Sequence, residues 1–143
     1  MNTPRPGFTL LELLLVIALM AVALGVLGVG LGRGLEAVRE RQALRDIVGA
    51  LRQARTQSVL SGMPAQVRFD LPGHRFQAPG QAMGRWPADL GLQLTTAAQL
   101  GPAVEFYPDG SSSGGNLLLT RGEQRWRIDV SWLLGDVRLQ ALP

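Results

Sequence analysis

The chain has 143 residues, no cysteine, one histidine and a formal net charge of +3, from 14 basic side chains that are all arginine and 11 acidic ones. The lack of cysteine excludes a disulfide framework and thiolate metal sites. The length allows one membrane segment and one small domain with a modest core. The small positive surplus is compatible with an ordinary solvated surface, and also with acidic partners such as nucleic acid or lipid head groups.

The amino-terminal quarter is strongly apolar. After a short, proline-broken segment at 1–7, residues 13–31 contain no charged or polar side chain. As a helix, this run would be about 28 Å long, close to the hydrocarbon thickness of a bilayer. The sequence therefore predicts a transmembrane helix over residues 8–32. Its second half is rich in glycine, and we expect these positions to be a helix-packing face or a soft point. They are Gly25, Gly28, Gly30, Gly32 and Gly34.

The next segment, residues 33–62, is predicted to continue the same helix in amphipathic form, since apolar residues recur at helical spacing among Arg, Glu and Gln. These residues are Leu35, Val38, Leu44, Ile47, Val48, Leu51 and Ala54. Gly62 and Pro64 are typical helix stop signals. One long helix should thus run from about residue 8 to about residue 61.

Residues 63–143 have strand patterns instead. A hairpin is predicted over 65–77 around Pro72-Gly73, and a loop without periodicity over 79–89. Further strands are predicted at 90–95, 103–107, 116–120, 124–132 and 137–142. In 124–132, Trp126, Ile128, Val130 and Trp132 are expected on one face. The fold class is therefore α+β, with a long amino-terminal helix packed on an antiparallel sheet or sandwich domain.

The pattern contains no recognisable catalytic constellation. His74 stands alone beside a turn, where a solvated surface position is expected, and no ligand set or nucleophile triad accompanies it. We therefore predict no catalytic, metal or cofactor site, and no enzyme. The stretch PDGSSSGG, residues 108–115, is favoured as a long hairpin loop over an exposed contact loop.

The residues Gly7-Phe8-Thr9-Leu10-Leu11-Glu12 resemble the type IV prepilin signal. A general secretory signal places its apolar region before the cleavage site, whereas here it follows. The resemblance implies that a prepilin peptidase cleaves between Gly7 and Phe8, which makes 1–7 a leader, and methylates the new amine of Phe8. It also implies that Glu12, one helical turn further on, pairs with that amine during assembly.

A second resemblance lies near the carboxyl terminus. The run from Phe106 to Asn116, followed by Ile128-Asp129-Val130 and Gly135-Asp136-Val137, is similar to the GspH/FimT family. The loop motif comprises Phe106, Pro108, Asp109, Gly110, Gly114 and Gly115. The family implies a minor pseudopilin of type II secretion, near the tip of a periplasmic pseudopilus. Implied partners are other major and minor pseudopilins, the prepilin peptidase, the inner-membrane assembly platform and membrane lipid.

The same resemblance implies a single-pass protein of the Gram-negative inner membrane, with its amino terminus in the cytoplasm and residues 63–143 in the periplasm. Charge counting disagrees, because Arg5 and the terminal amine precede the apolar run whereas four arginines follow it closely. These four are Arg33, Arg39, Arg41 and Arg45. We follow the resemblance, since the leader motif is the more specific signal.

Two alternatives stay open. The first is a minor pilin of a type IV pilus, including a DNA-binding form used in uptake, for which the arginine surplus is the argument. The arginines concerned are Arg121, Arg125, Arg127 and Arg138. The second is a bitopic protein whose periplasmic domain acts as a sensor or accessory, and lack of cleavage at Gly7 would favour it.

Overall fold

The computed structural model describes residues 9–143, except for the side chains of residues 26–36. Helix α1 spans Leu10–Ser61. Residues 1–38 and 39–143 are two separate compact units. The predicted stop is confirmed: the Gly62 N–H donates to the Ser58 carbonyl at 3.0 Å, and Gly62 adopts the positive φ of 69° that favours glycine just after a helix.

Eight strands follow α1 and form two antiparallel four-stranded sheets, which confirms the α+β class. Their bounds are β1 Ala65–Asp70, β2 Arg75–Gln77, β3 Gly84–Arg85, β4 Gly91–Thr95, β5 Ala103–Phe106, β6 Gly115–Arg121, β7 Gln124–Val130 and β8 Val137–Leu142. A short 3₁₀ helix, Ala98–Leu100, precedes β5. The first sheet has the order β3-β2-β1-β5, and the second has the order β4-β6-β7-β8.

The core of the second unit combines one stripe of α1 with the inner faces of both sheets. Fully buried members include Ile47 and Leu51 of the helix, Val67 of β1 and Ile128 of β7. The amphipathic prediction is confirmed for the stretch from Leu44 to Ala54 but is wrong at Val38, whose side chain is 64% exposed. Leu35 lies among the residues whose side chains are not described.

Two strand predictions need correction. The segment 79–89 is not entirely loop, because Gly84–Arg85 pairs with β2 as β3. A two-residue strand is too short to show periodicity, and it leads into Trp86, which is buried and stacks on Phe76 with ring centroids 6.4 Å apart. The hairpin formed by β1 and β2 is confirmed.

The strand predicted over 124–132 is shorter than expected. β7 ends at Val130, and Trp132 lies beyond it with 68% of its surface exposed. The chain turns here because the Ser131 carbonyl accepts from the Gly135 N–H at 2.8 Å, while the Ser131 N–H donates to the Asp136 carbonyl at 2.9 Å. Alternation alone could not reveal this turn.

Candidate functional site

The amino-terminal motif forms the capped start of α1. The Glu12 N–H donates to the Thr9 carbonyl at 3.0 Å and to the Thr9 Oγ1 at 3.3 Å, and the Leu13 N–H also reaches that carbonyl at 3.2 Å. Glu12 is exposed and lies in the first turn, where the helix dipole favours a negative charge. Gly7 and Phe8 lie outside the described residues, so their cleavage and methylation stay predictions.

This arrangement makes Thr9 the N-cap of α1. Threonine at the N-cap with glutamate three positions later is the capping-box pattern, and the letters Thr9-Leu10-Leu11-Glu12 already carry it. The expected pairing of Glu12 with a terminal amine is not tested here. Glu12 is therefore a helix-start residue in the structure, and a pairing residue only by prediction.

The first part of α1 exposes apolar side chains on every side. From Leu10 to Leu24 the large apolar side chains are all exposed, with Val16 the least exposed at 39%. A helix on a soluble core buries one stripe instead. Within the described residues, no helix combines the length and apolarity needed to span a membrane. Of the predicted span, residue 8 and the side chains of residues 26–32 lie outside the described structure.

The glycine positions of the span are only partly described. A Cβ added at Gly25 would meet nothing within 4 Å, so nothing in the described structure requires glycine there. The other four, Gly28, Gly30, Gly32 and Gly34, lie in the stretch without described side chains. Their role in helix packing or flexibility stays a prediction.

The family loop motif folds into a compact turn, here called the 107–115 loop. The Gly110 N–H donates to the Tyr107 carbonyl, and the Tyr107 N–H donates to the Ser111 carbonyl, each at 2.9 Å. Asp109 Oδ1 accepts from the Ser111 N–H at 3.0 Å and from its hydroxyl at 2.6 Å. Pro108 and Asp109 are exposed, whereas Gly110 is buried.

Two side chains of this loop have shifted pKa values. The Ser111 hydroxyl, together with its N–H, holds the pKa of Asp109 below its ordinary value. Partial burial raises the pKa of Tyr107, and the nearby Glu105 carboxylate adds to the effect. Both shifts are consequences of packing and hydrogen bonding.

The second half of the loop is held from inside. Ser112 is buried. Its hydroxyl donates to the Ser131 carbonyl at 2.9 Å and accepts from the Gly114 N–H at 3.0 Å. The Ser112 N–H donates to the Trp132 carbonyl at 2.9 Å. Phe106 is fully buried just before the loop. Gly115 opens β6.

Helix α1 also holds the loop. Arg55 Nε donates to the Gly110 carbonyl at 3.2 Å, and the Ser58 hydroxyl donates to the Tyr107 carbonyl at 3.1 Å. Gly135 packs so closely that a Cβ there would run into the Gly110 carbonyl, and its φ is +61°. The prediction that residues 108–115 form the loop of a hairpin is wrong, since the flanking strands β5 and β6 belong to different sheets. The motif is a structural joint between α1, both sheets and the β7–β8 turn.

The four arginines considered for nucleic-acid binding are engaged within the fold. The contacts are Arg121 with Glu40 at 3.0 Å and with Asp89 at 2.9 Å, Arg127 with Asp129 at 2.7 Å, Arg138 with Asp136 at 2.7 Å, and Arg125 with the Pro143 carbonyl at 2.6 Å. Neighbouring carboxylates offset much of this positive charge, which weakens the case for a continuous phosphate-binding face.

His74 is not the solvated turn residue that we expected. It is half-buried, has a positive φ of 51°, and its ring meets Trp86 edge-on with centroids 5.8 Å apart. Packing against Trp86 explains the difference, because the turn between β1 and β2 places His74 against that ring. Among the described residues, no three His, Asp or Glu side chains are grouped so as to hold a metal ion.

Comparisons with known proteins agree with this architecture. The sequence-family model of the type II transport protein GspH matches residues 43–134, and that of the prokaryotic N-terminal methylation motif matches residues 4–28. The type II secretion system protein H of Xanthomonas campestris pv. campestris is 40% identical over 137 residues, which are 92% of this chain and 81% of that protein.

Solved structures show the same fold at low identity. The minor pseudopilin EpsH of the Vibrio cholerae type 2 secretion system aligns with a TM-score of 0.59 and 16% identity, over 76% of this chain and 97% of that one. The type IV minor pilin FimU of Pseudomonas aeruginosa aligns with a TM-score of 0.56 and 14% identity, over 76% and 91% respectively.

The long capped helix, the two-sheet domain and the methylation motif together define a pilin-like protein. More narrowly, the chain belongs to the family of the type II transport protein GspH. Members of this family are structural components of a secretion apparatus, and the 107–115 loop motif falls inside the matched region.

Proposed function

We propose that this chain works as an H-type minor pseudopilin, a subunit of the filament that drives type II protein secretion. The observation that carries the proposal is the match to the GspH model over residues 43–134, together with 40% identity to a type II secretion system protein H over most of the chain. The fold supports it, because the large apolar side chains from Leu10 to Leu24 are exposed and therefore available for assembly.

In this proposal, residues 1–7 are removed, Phe8 becomes the methylated amino terminus, and the apolar helix over 8–32 anchors the protein in the inner membrane. Residues 63–143 then lie in the periplasm. The exposed apolar surface from Leu10 to Leu24 supports this, since it needs lipid or neighbouring helices to cover it. The peptidase, the assembly platform and a place near the filament tip belong to the proposal as well.

Glu12 has a defined task in this proposal. A carboxylate in hydrocarbon costs roughly 3 kcal/mol, so it favours a cationic partner. The methylated amine of Phe8, on this subunit or a neighbour, is the nearest cation that processing would create. Pairing would fix the register in which helices dock into the filament.

The deciding experiment on processing is the intact mass of the protein purified from membranes of a secreting cell. We expect a chain that begins at Phe8 and carries one extra methyl group. An uncleaved chain that begins at Met1 would contradict the proposal and favour a bitopic sensor or accessory protein.

The pairing of Glu12 can be separated from the capping-box pattern that its side chain shares with Thr9. Glu12→Gln keeps a side chain suited to the capping box but has no charge, whereas Glu12→Ala lacks both. We expect both variants to lose co-purification with other pseudopilins and to lose secretion. If Glu12→Gln assembles and secretes as well as the wild type, the pairing idea fails.

The alternative of a type IV minor pilin is favoured by the fold shared with FimU. Deleting the gene and restoring it separates the two systems, because a pseudopilin is needed for release of exoproteins and a minor pilin for pilus-dependent motility. A DNA-binding form would also need salt-dependent binding of the whole protein to DNA.

A further inference from the structure

The outer face of the first sheet carries a cavity of about 340 Å³, here called the first-sheet cavity. Phe69 of β1 and Phe76 of β2 are paired with each other and buried in the core, so the residues on either side of them in the two strands face outward. All four of these outward residues line the cavity. They are Arg68, Asp70, Arg75 and Gln77. The cavity therefore opens on the side of the sheet that faces away from the core.

Part of the lining is apolar. Met83, just before β3, and Leu100, in the 3₁₀ helix before β5, both line the cavity, and Met83 is 53% exposed. Ala103 of β5 pairs with Arg68 and also lines the cavity, although it is only 2% exposed. The small side chain of Ala103 leaves space that a larger one would occupy. A concave site with apolar walls and a few polar groups is typical of ligand pockets.

The charges that line the cavity are not balanced. Asp70 Oδ2 accepts from Arg75 Nε at 3.1 Å and from Arg75 Nη2 at 2.6 Å, so these two side chains offset each other. Arg68 Nη2 donates at 3.1 Å to the side-chain carbonyl of Gln66, which carries no charge. No carboxylate among the described residues forms an ion pair with Arg68. One positive charge of the lining is thus without a counter-charge.

A third arginine adds to this positive charge. Arg85 of β3 stands directly opposite Arg75, whose other neighbour across the sheet is Asp70. Like charges directly opposite each other destabilise a sheet. Arg85 is exposed and makes no hydrogen bond or ion pair with another described residue. The remaining carboxylate of this face, Glu105 on β5, accepts from Gln66 Nε2 at 2.9 Å. An anion in the cavity would therefore lower a repulsion that the fold leaves in place.

We propose that the first-sheet cavity binds an organic carboxylate with a short apolar body. Arg68 and Arg75 bind the carboxylate, because Arg75 keeps N–H groups beyond the two that reach Asp70. Met83 and Leu100 contact the apolar body. A monovalent anion matches the single positive charge that the lining leaves without a counter-charge. This inference goes beyond the proposed function and does not depend on it.

The volume limits the size of the ligand. A cavity of about 340 Å³ holds roughly ten heavy atoms, since one water occupies about 30 Å³ of the liquid. Two sources supply a carboxylate on an apolar body of this size. One is a free aliphatic acid of about six carbons, and the other is an apolar residue at the carboxyl terminus of a polypeptide.

The test uses the full chain in lipid nanodiscs, with isotope-labelled methionine methyl groups as reporters in nuclear magnetic resonance spectra. Met83 lines the cavity, Met63 is 64% exposed outside it, and Met20 in the apolar stretch of α1 shows whether a ligand enters the lipid. We expect hexanoate to shift the Met83 signal saturably and to leave the Met63 signal in place. The Kd should be ~1 mM, because so small a ligand makes few contacts. Hexanol, which lacks the charge, should bind about tenfold more weakly.

Matched variants address the charge and the space. Arg68→Gln should weaken hexanoate binding about tenfold, whereas Arg138→Gln, at an exposed arginine of the second sheet, should leave it unchanged. Ala103→Leu should fill the cavity and abolish the shift of Met83. Because Ala103 is buried, Leu100→Ala is the second variant: it removes part of the apolar wall and should weaken binding several-fold. Unchanged thermal unfolding shows that each variant is folded.

A second pair of ligands separates the two sources. N-acetyl-leucine imitates the carboxyl terminus of a polypeptide, and N-acetyl-leucinamide is its uncharged counterpart. Tighter binding of N-acetyl-leucine than of hexanoate would identify a polypeptide terminus as the source, and the reverse order would identify a free aliphatic acid. In either case the uncharged amide should bind about tenfold more weakly than the acid.

Four results would overturn the proposal. The first is that neither acid shifts the Met83 signal saturably, and the second is that hexanoate and hexanol bind equally. The third is that Arg68→Gln binds hexanoate as the wild type does. The fourth is an equal shift with inorganic phosphate, which would show that the apolar wall contributes nothing. None of these results would affect the filament role, which is tested by processing and assembly.

Discussion

Two stretches of the same helix, residues 10–24 and residues 40–58, differ in what surrounds them. In the first, the large apolar side chains are exposed in all directions. In the second, one stripe that includes Ile47 and Leu51 is fully buried, and polar residues occupy the rest. Helix propensity does not distinguish them, because Leu, Ala and Val are common in both.

The difference shows that a single helix can obtain its stability from two sources. Residues 40–58 are stabilised by packing on the sheets of their own domain. Within the described structure, residues 10–24 have no such cover, and in the proposed function they receive it from lipid and other subunits. The following predictions test this contrast, from the largest expected effect to the smallest.

Leu51→Ala should have the largest effect. Leu51 is fully buried, so its truncation leaves a cavity and should lower the free energy of unfolding by about 3 kcal/mol. Leu19→Ala, at a side chain that is 61% exposed, should leave it nearly unchanged. Urea unfolding of the whole protein in detergent, followed by tryptophan fluorescence, measures both. Equal losses for the two variants would remove the contrast between the stretches.

Gly135→Ala should be next in size. The added Cβ must avoid the Gly110 carbonyl and tolerate a φ of +61°, so we expect a loss of about 2 kcal/mol. Gly122→Ala is a useful control, because its φ is also positive, at +55°, but nothing lies within 4 Å of its Cβ. The difference between the variants isolates the contact with the 107–115 loop. If they unfold alike, that close packing contributes nothing.

Ser58→Ala should cost about 1 kcal/mol, because the fully buried Ser58 hydroxyl is lost together with its contacts to the Tyr107 and Arg55 carbonyls. Thr56→Ala removes a hydroxyl that bonds only to the carbonyl of Arg52 in its own helix. It should therefore have the smaller effect in the same unfolding assay. A larger loss for Thr56→Ala would show that the helix, rather than the joint, gains from these hydroxyls.

The smallest effect concerns pH. Hydrogen bonds from Ser111 hold the pKa of Asp109 below 3.8, its ordinary value, so the ionised form is favoured in the folded state. The resulting stabilisation is fully present above that value and is lost as pH falls through the lowered folded pKa. Asp109→Asn should therefore make acid unfolding slightly less steep. An unchanged acid titration of stability, followed by circular dichroism, would contradict this.

The extent of the helix and most strands could be predicted because their signals are local. Gly62 marks the helix end, and the alternation predicted for 124–132 holds at Ile128 and Val130, which are both buried. The path of the 107–115 loop could not be predicted, because whether β5 and β6 share a sheet depends on distant pairing partners. The predictions that Val38 is buried and that the strand extends to Trp132 are wrong for a related reason. The sequence periodicity continues past the point where the surface that it would pack against ends.

Within the candidate site, sequence patterns located the loop motif but not its contacts. Arg55 and Ser58 lie some fifty residues from the carbonyls they bind, and nothing in their spacing points to those carbonyls. The capping of α1 by Thr9 is the opposite case, since all of its information lies within the four residues from Thr9 to Glu12.

The contacts of Arg52, Arg55 and Ser58 also have a mechanical consequence. A subunit that is drawn along its helix axis would transmit the load to its sheets through these three hydrogen bonds and the packed stripe around Leu51. Because they reach both β8 and the 107–115 loop, the load would be shared between two parts of the domain. The contacts of α1 with the 107–115 loop would thus keep the sheets attached to the helix while the subunit is pulled.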